Sequence, residues 1–244
     1  MALQTTLGLA SQHIIKNLGN KRPLFAALQG PQGSGKTFLA AQLQARLQSP
    51  PHSLRVAVLS IDDLYLPHKD LVSLAASENS LWKGRGLPGT HDIDLGLKIF
   101  SNLVSGDSRF ELPRFDKSLF NGEGDRLPMD GTGPIIIQPP PVDVVILEGW
   151  LVGFHPIMRD DLLLQRHGIW EHTREKLGLN EAETGRLSDI QAINEKLKEY
   201  LPLWNFFDVF IQVGACMVHS FPFARLNHCP AQSCSTSIPR PITV

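Results

Sequence analysis

The sequence has 244 residues, 42% hydrophobic and 19% charged, with a formal net charge of −1. That length suits one large α/β domain, or one domain with appendages, and the composition can bury a sizeable core. The balanced charge argues against a chain built as a whole for nucleic acid or a membrane surface, and no apolar run approaches the ~20 residues needed to span a bilayer.

Leu3, Leu7, Ala10, Ile14 and Leu18 recur at helical spacing and predict an amphipathic packing helix that stops at Gly19. No basic region followed by an apolar core opens the chain, so a cytoplasmic protein is expected. Leu24–Gln29 is a short apolar run that reads as a buried strand. It leads into Gly30, Pro31, Gln32, Gly33, Ser34, Gly35, Lys36 and Thr37. Two glycines separated by four residues, then Lys, then Thr, fit the phosphate-loop pattern. A helix follows from Thr37 to Leu47, with Leu39, Leu43 and Leu47 on one stripe and Ser49-Pro50-Pro51 ending it. Strand, glycine loop and helix are the context this motif needs. The glycines let successive backbone N–H groups turn inward, and the helix N-terminus adds its partial positive charge. Lys36 is placed to reach the β- and γ-phosphates of a nucleotide and Thr37 to hold Mg²⁺.

Arg55–Ser60 predicts a second strand, apolar as in a parallel sheet covered on both faces. Asp62 and Asp63 follow it directly. Ligands of open α/β sheets sit beyond the carboxyl ends of strands, so both acids stand either at a reaction site or in a cap or solvated turn. From Pro67 to Thr90 the sequence turns irregular. Trp82–Asp92 holds three glycines, two cations, His91 and Asp92. It reads as a plain surface loop or as a flexible loop over a substrate, but not as a second phosphate loop, because no strand runs into it. Asp94 is expected to cap a helix with Leu95, Ile99 and Leu103 on its stripe.

The loop from Asn121 to Asp130 reads as solvated, and Ile135–Ile137 as a short strand closed by Pro139–Pro141. Val142–Gly149 is a β-branched run ending in Glu148, as in a strand that places an acid beside Mg²⁺. A helix is expected over Pro156–Gln165 with Pro in its first turn. A capping box at Ser188–Gln191 is expected to open another, with Leu187, Ile190, Ile193, Leu197 and Leu201 inward. Phe207–Val213 is the last predicted strand. Beyond it, residues 214–244 contain no Asp or Glu and are rich in Ser, Pro and Cys. Cys216, Cys229 and Cys234 lack a CxxC pair and read as incidental thiols despite His219 and His228.

Taken together, these blocks resemble the fungal and plant D-glycerate 3-kinase-like P-loop kinases, kin of uridine kinase, phosphoribulokinase and pantothenate kinase. The resemblance rests on Gly30–Thr37, Ser60–Tyr65, Gly84–Asp92, Pro113–Ser118 and Ile146–Trp150, in that order, and covers about residues 1–213. It implies a P-loop NTPase three-layer sandwich, with a doubly wound, mainly parallel sheet between helices. It also implies phosphoryl transfer from ATP, with Mg²⁺, to a small hydroxyl compound such as D-glycerate. Asp62 matches the acid that acts as base toward the acceptor hydroxyl. Asp63, Tyr65, Arg85, His91, Asp92, Arg114, Asp116 and Lys117 would shape the acceptor site, with Arg85, Arg114 and Lys117 as carboxylate partners. The resemblance implies nothing about oligomeric state.

Residues 1–213 are thus expected to form a kinase domain truncated at its C-terminal end relative to the family, and 214–244 an irregular or disordered tail outside the family pattern. That departure leaves a catalytically impaired nucleotide-binding protein as the alternative to an active kinase. A GTPase is disfavoured by the absence of an Asn-Lys-x-Asp signature. A bare ATPase is disfavoured by the acceptor-site blocks, which hydrolysis would not need.

Overall fold

The computed structural model describes residues 2–20, 22–214 and 242–243. In chain order the elements are α1 (Ala2–Asn17), β1 (Leu24–Gln29), α2 (Lys36–Gln48), β2 (Val56–Ser60), α3 (His68–Ala75) and α4 (Ile93–Ser105). Then come β3 (Arg109–Glu111), β4 (Phe115–Asp116), β5 (Asp125–Arg126), β6 (Ile135–Ile137) and β7 (Val144–Gly149). The last are α5 (Asp160–Lys176), α6 (Glu181–Thr184), α7 (Leu187–Lys198), α8 (Leu201–Trp204), β8 (Val209–Gln212) and β9 (Ile242–Thr243).

The main sheet runs β2-β7-β1-β8-β9 and every pairing in it is parallel. Strands buried on both faces explain why β1 and β7 are apolar nearly throughout. Successive side chains alternate between two cores. Leu24, Ala26 and Leu28 pack with Val144 and Ile146 against Leu7, Ala10 and Ile14 of α1 and Leu39, Leu43 and Leu47 of α2. Phe25, Ala27, Val145 and Leu147 face the other way, against Ile99, Phe100 and Leu103 of α4 and Leu197, Tyr200 and Leu203 beyond. Helices on both faces of a parallel sheet make the three-layer α/β sandwich. Leu43 is fully buried in the first of these cores. Leu43→Ala is expected to cost about 2–5 kcal/mol of stability, read from the denaturant midpoint. A loss below about 1 kcal/mol would mean that α2 does not seal that face.

Four expectations need correction. The stretch after Pro67 contains α3, with Leu71 as its buried residue. The cap of α4 is Asp92 rather than Asp94, because its carboxylate accepts the Leu95 N–H at 3.0 Å. The helix expected from Pro156 begins at Asp160. Asn194 takes both backbone groups of Ile157, accepting its N–H at 2.7 Å and donating to its carbonyl at 2.9 Å, so neither serves a helix there. The capping acid of α7 is Asp189, whose carboxylate accepts the Arg186 N–H at 3.0 Å, so this helix starts earlier than a Ser188 cap would allow.

The short strands β3 and β6 form one antiparallel ribbon, and β4 and β5 another, both outside the main sheet. The expected irregular tail and its three cysteines lie outside the described residues, except for Gly214 and the two residues of β9.

Candidate active site

Since β1, β2 and β7 are parallel neighbours, the segments leaving their carboxyl ends meet along one edge. The register pairs Glu148 with Leu28 on one side and Ser60 on the other. Gly30, Asp62 and Glu148 therefore emerge side by side. Asp62 and Glu148 line a cleft of about 900 Å³ together with Gln32, Gly33, Lys36, Thr37, Tyr65, Arg85 and Lys117, among others.

The phosphate loop takes the shape its glycines permit. Gly33 and Gly35 sit at φ 76° and 80°, which side chains disfavour, and Gly35 caps α2 in that left-handed conformation. The N-terminal N–H groups of α2 have no partner one turn earlier in the helix. Lys36 Nζ lies 3.4 Å from the Pro31 carbonyl, a long contact that leaves the ammonium exposed. Thr37 Oγ1 donates to Glu148 Oε1 at 2.9 Å.

These residues fit Mg²⁺ and a nucleotide polyphosphate. Glu148 is 3% exposed, and its Oε2 is buried with no hydrogen-bond partner. A buried carboxylate oxygen without a partner is costly unless something completes it. A hard cation that prefers oxygen ligands would do so, with Thr37 Oγ1 beside it. The Ser34 hydroxyl, also buried and unpartnered, sits in the same loop.

On the opposite wall, the Ser60 hydroxyl accepts the Asp62 N–H at 3.3 Å and starts a 3-10 turn over Ile61–Leu64. The turn aims Asp62 into the cleft, where Lys117 Nζ donates to its Oδ2 at 2.6 Å. Asp63 points elsewhere. Its carboxylate accepts the Phe115 N–H at 3.1 Å, and burial pushes its acidity toward the protonated form. The Tyr65 phenol is held protonated by burial, then by the Asp62 carboxylate that it faces. Its ring stacks on His91 at 4.4 Å. Burial holds the His91 imidazole neutral, with its pKa pushed down to about 3. The Nδ1 of His91 is 2.7 Å from the Tyr200 hydroxyl, which also accepts the Gly89 N–H at 3.0 Å.

The cleft thus brings together Gln32, Gly33, Lys36, Thr37, Asp62, Tyr65, Arg85, Lys117 and Glu148. His91 stands behind Tyr65 as support. Asp92 caps α4 and accepts from Arg126 at 2.9 Å. Arg114 donates to Thr132 at 2.6 Å and lies 3.6 Å from Glu111, and Asp116 caps its own turn at Ser118. None of these four lines the cleft. Arg85 lines it while donating to the carbonyls of Gly122 and Glu123, with its guanidinium over the Phe115 ring.

Four residues without a role in the sequence reading belong to this neighbourhood. His68, on α3, lines the cleft, stacks on Phe120 at 3.7 Å and meets Glu123 at 2.7 Å. Arg126 ties Asp92 to the Tyr65 carbonyl. Tyr200 fastens the Gly84–Asp92 loop to the helical layer. The signal for His68 was present, since Leu71, Leu74 and Ala75 repeat at helical spacing directly after Pro67. Nothing in the Asn121–Asp130 loop distinguishes Glu123 or Arg126 from ordinary surface charge.

No family model matches the chain. The Saccharomyces cerevisiae protein named "Probable ATP-dependent kinase TDA10" is 43% identical over 149 residues, which are 58% of this chain and 50% of that protein. The chloroplastic D-glycerate 3-kinase of Arabidopsis thaliana is 33% identical over 143 residues, 57% of this chain and 30% of that enzyme. The chain therefore spans half or less of the length of these two curated relatives. Among solved structures, the D-glycerate 3-kinase from Cryptococcus neoformans var. grubii is 34% identical with a TM-score of 0.69, covering 85% of this chain and 72% of that one. With the sheet order and phosphate loop described above, that coverage shows that the chain belongs to the D-glycerate 3-kinase-like family of P-loop kinases.

Proposed function

We propose that this chain is a cytoplasmic ATP-dependent kinase that passes the γ-phosphate of ATP to a hydroxyl of a small metabolite, with D-glycerate as the leading acceptor. The observation that carries this reading is the meeting of three features in one cleft: the phosphate loop, the Thr37–Glu148 pair and the Asp62 carboxylate. The acceptor is a small molecule, and neither nucleic acid nor a membrane enters the reaction. Among the described residues, no helix is long and apolar enough to cross a membrane.

Each residue has one task. The loop N–H groups and Lys36 bind the phosphates and fix their direction. Thr37 and Glu148 would hold Mg²⁺, which supplies charge neutralisation on the phosphate oxygens when bound. Asp62 orients the acceptor hydroxyl and takes its proton. Tyr65 walls the acceptor side and is kept in place by His91. Catalysis of this kind is mostly positioning and electrostatic stabilisation.

The test is ADP production by the purified chain with Mg·ATP, with and without D-glycerate, beside a panel of sugars, nucleosides and other hydroxy acids. Acceptor-dependent ADP together with a phosphorylated product is the expected result. Saturable ATP binding with no ADP from any acceptor would replace this reading with that of a nucleotide-binding protein without transfer activity.

A further inference from the structure

The proposed base is already engaged. Lys117 Nζ donates to Asp62 Oδ2 at 2.6 Å, and both residues line the cleft. The ammonium competes with an acceptor hydroxyl for that oxygen and draws off the charge with which it would take a proton. Three other basic side chains near this wall have partners away from Asp62. Arg85 is on the carbonyls of Gly122 and Glu123, His68 is beside Glu123, and Arg126 is on Asp92 and the Tyr65 carbonyl. Lys117 differs from these in that its ammonium is bonded to the base itself. Its side chain is 55% exposed against 28% for Asp62. An ion pair this open contributes little to stability and exchanges partners readily. The long lysine stem lets the ammonium swing without moving the backbone.

We propose that Lys117 is a specificity-determining residue that releases Asp62 only to an acceptor whose anionic group lies close enough to its reacting hydroxyl to reach the Lys117 ammonium. The inference rests on the kinase reading above and adds how the site tells one hydroxyl compound from another. A carboxylate one carbon removed from the hydroxyl-bearing carbon, as in D-glycerate reacting at its 3-hydroxyl, offers Lys117 a replacement partner, so the ammonium moves from Asp62 to the acceptor. The freed Asp62 oxygen then receives the hydroxyl. The acceptor O–H bond breaks and its proton passes to Asp62. The hydroxyl oxygen's electron pair forms the bond to the γ-phosphorus. The bond from that phosphorus to the β,γ-bridging oxygen breaks, and its electron pair leaves on ADP. A neutral polyol offers Lys117 nothing, so the ammonium stays on Asp62 and the base stays engaged.

D-glycerate and glycerol are a matched pair, differing by a carboxylate in place of a hydroxymethyl group. The experiment measures kcat and KM for both with the wild type, Lys117→Met and Lys117→Arg. In Lys117→Met, kcat/KM for D-glycerate is expected to fall about 10–100-fold, chiefly through KM. Its kcat with glycerol is expected to rise several-fold, because the ammonium no longer occupies Asp62 Oδ2. Lys117→Arg is expected to keep the preference for D-glycerate. Equal losses on both acceptors, or an unchanged preference, would overturn the exchange.

A second measurement separates this inference from the kinase reading. D-glycerate is titrated calorimetrically into the chain loaded with Mg·ADP, where no chemistry occurs. Binding to the wild type at least about 10-fold tighter than to Lys117→Met supports the exchange. Equal binding, or none to either, overturns it. Absence of turnover with every acceptor, alongside this binding difference, would count against the kinase reading alone.

Discussion

Asp62→Asn is expected to lower turnover by about 10²–10⁴ while leaving ATP affinity within about twofold. The substitution keeps the size of the side chain and removes its capacity to take a proton. The nucleotide side should not register the change. Lys36, Thr37 and Glu148 stand on other elements, and the Asp62 carboxylate accepts from Lys117 at 2.6 Å while Thr37 pairs with Glu148. The fold should survive as well. Asp62 starts its turn through its backbone N–H to Ser60, which Asn retains, and the lost ion pair is an exposed one of small stabilising value. Single-turnover phosphate transfer and ATP titration on the same preparation separate the two outcomes. Wild-type turnover in this variant would remove Asp62 from the mechanism and leave positioning by the phosphate loop as the whole of it.

The parts of the molecule legible in its sequence are those where local chemistry and tertiary placement agree. β1, the glycine loop and α2 were readable because each carries its own signal: an apolar run, a backbone-permissive turn and a helical stripe that ends in Leu43 and Leu47. β7 was readable as a strand from its β-branched run, but apolar strands ending in an acid are common, and Glu148 took its meaning from the phosphate loop elsewhere in the chain. The boundaries that failed are those decided by distant partners. The start of α5 depends on Asn194, which lies far along the chain and occupies the backbone of Ile157. The choice of Asp92 over Asp94 as a cap depends on geometry that two aspartates two residues apart cannot reveal in sequence.

The site divides in the same way. Strand-end acids and the phosphate loop follow from topology, because parallel neighbours must deliver their carboxyl ends to one edge. The acceptor wall follows from loop packing, which has no periodicity. Arg114 and Arg85 looked alike as cations in glycine-rich surroundings. Arg114 turns to Thr132 and Glu111, whereas Arg85 reaches the cleft because the carbonyls of Gly122 and Glu123 hold its guanidinium there. Asp63 sits one residue from Asp62 and points the other way, since a 3-10 turn rotates consecutive side chains by about 120°. Its carboxylate braces the Phe115 backbone, and with it the segment that leads to Lys117.

Lys36→Ala is expected to weaken ATP binding by about 10–100-fold, as loss of a charge-assisted contact worth about 1.5–3 kcal/mol would do. The size of the effect follows from what surrounds the ammonium. It donates to the Pro31 carbonyl at 3.4 Å, so it is held loosely and stands ready to turn toward phosphate oxygens. Because that contact is weak, the substitution should cost the apo fold little, and Ala suits the first turn of α2. ADP should lose less than ATP if Lys36 spans the β- and γ-phosphates as proposed, because only the first remains in ADP. Calorimetric titration of both nucleotides reads the difference directly. The backbone N–H groups of the loop and the start of α2 survive the substitution, so residual binding is expected rather than none. Unchanged affinity for both nucleotides would contradict the phosphate-loop assignment. Equal losses for ATP and ADP would place Lys36 on the β-phosphate alone and shift stabilisation of the transferring group to other cations in the cleft.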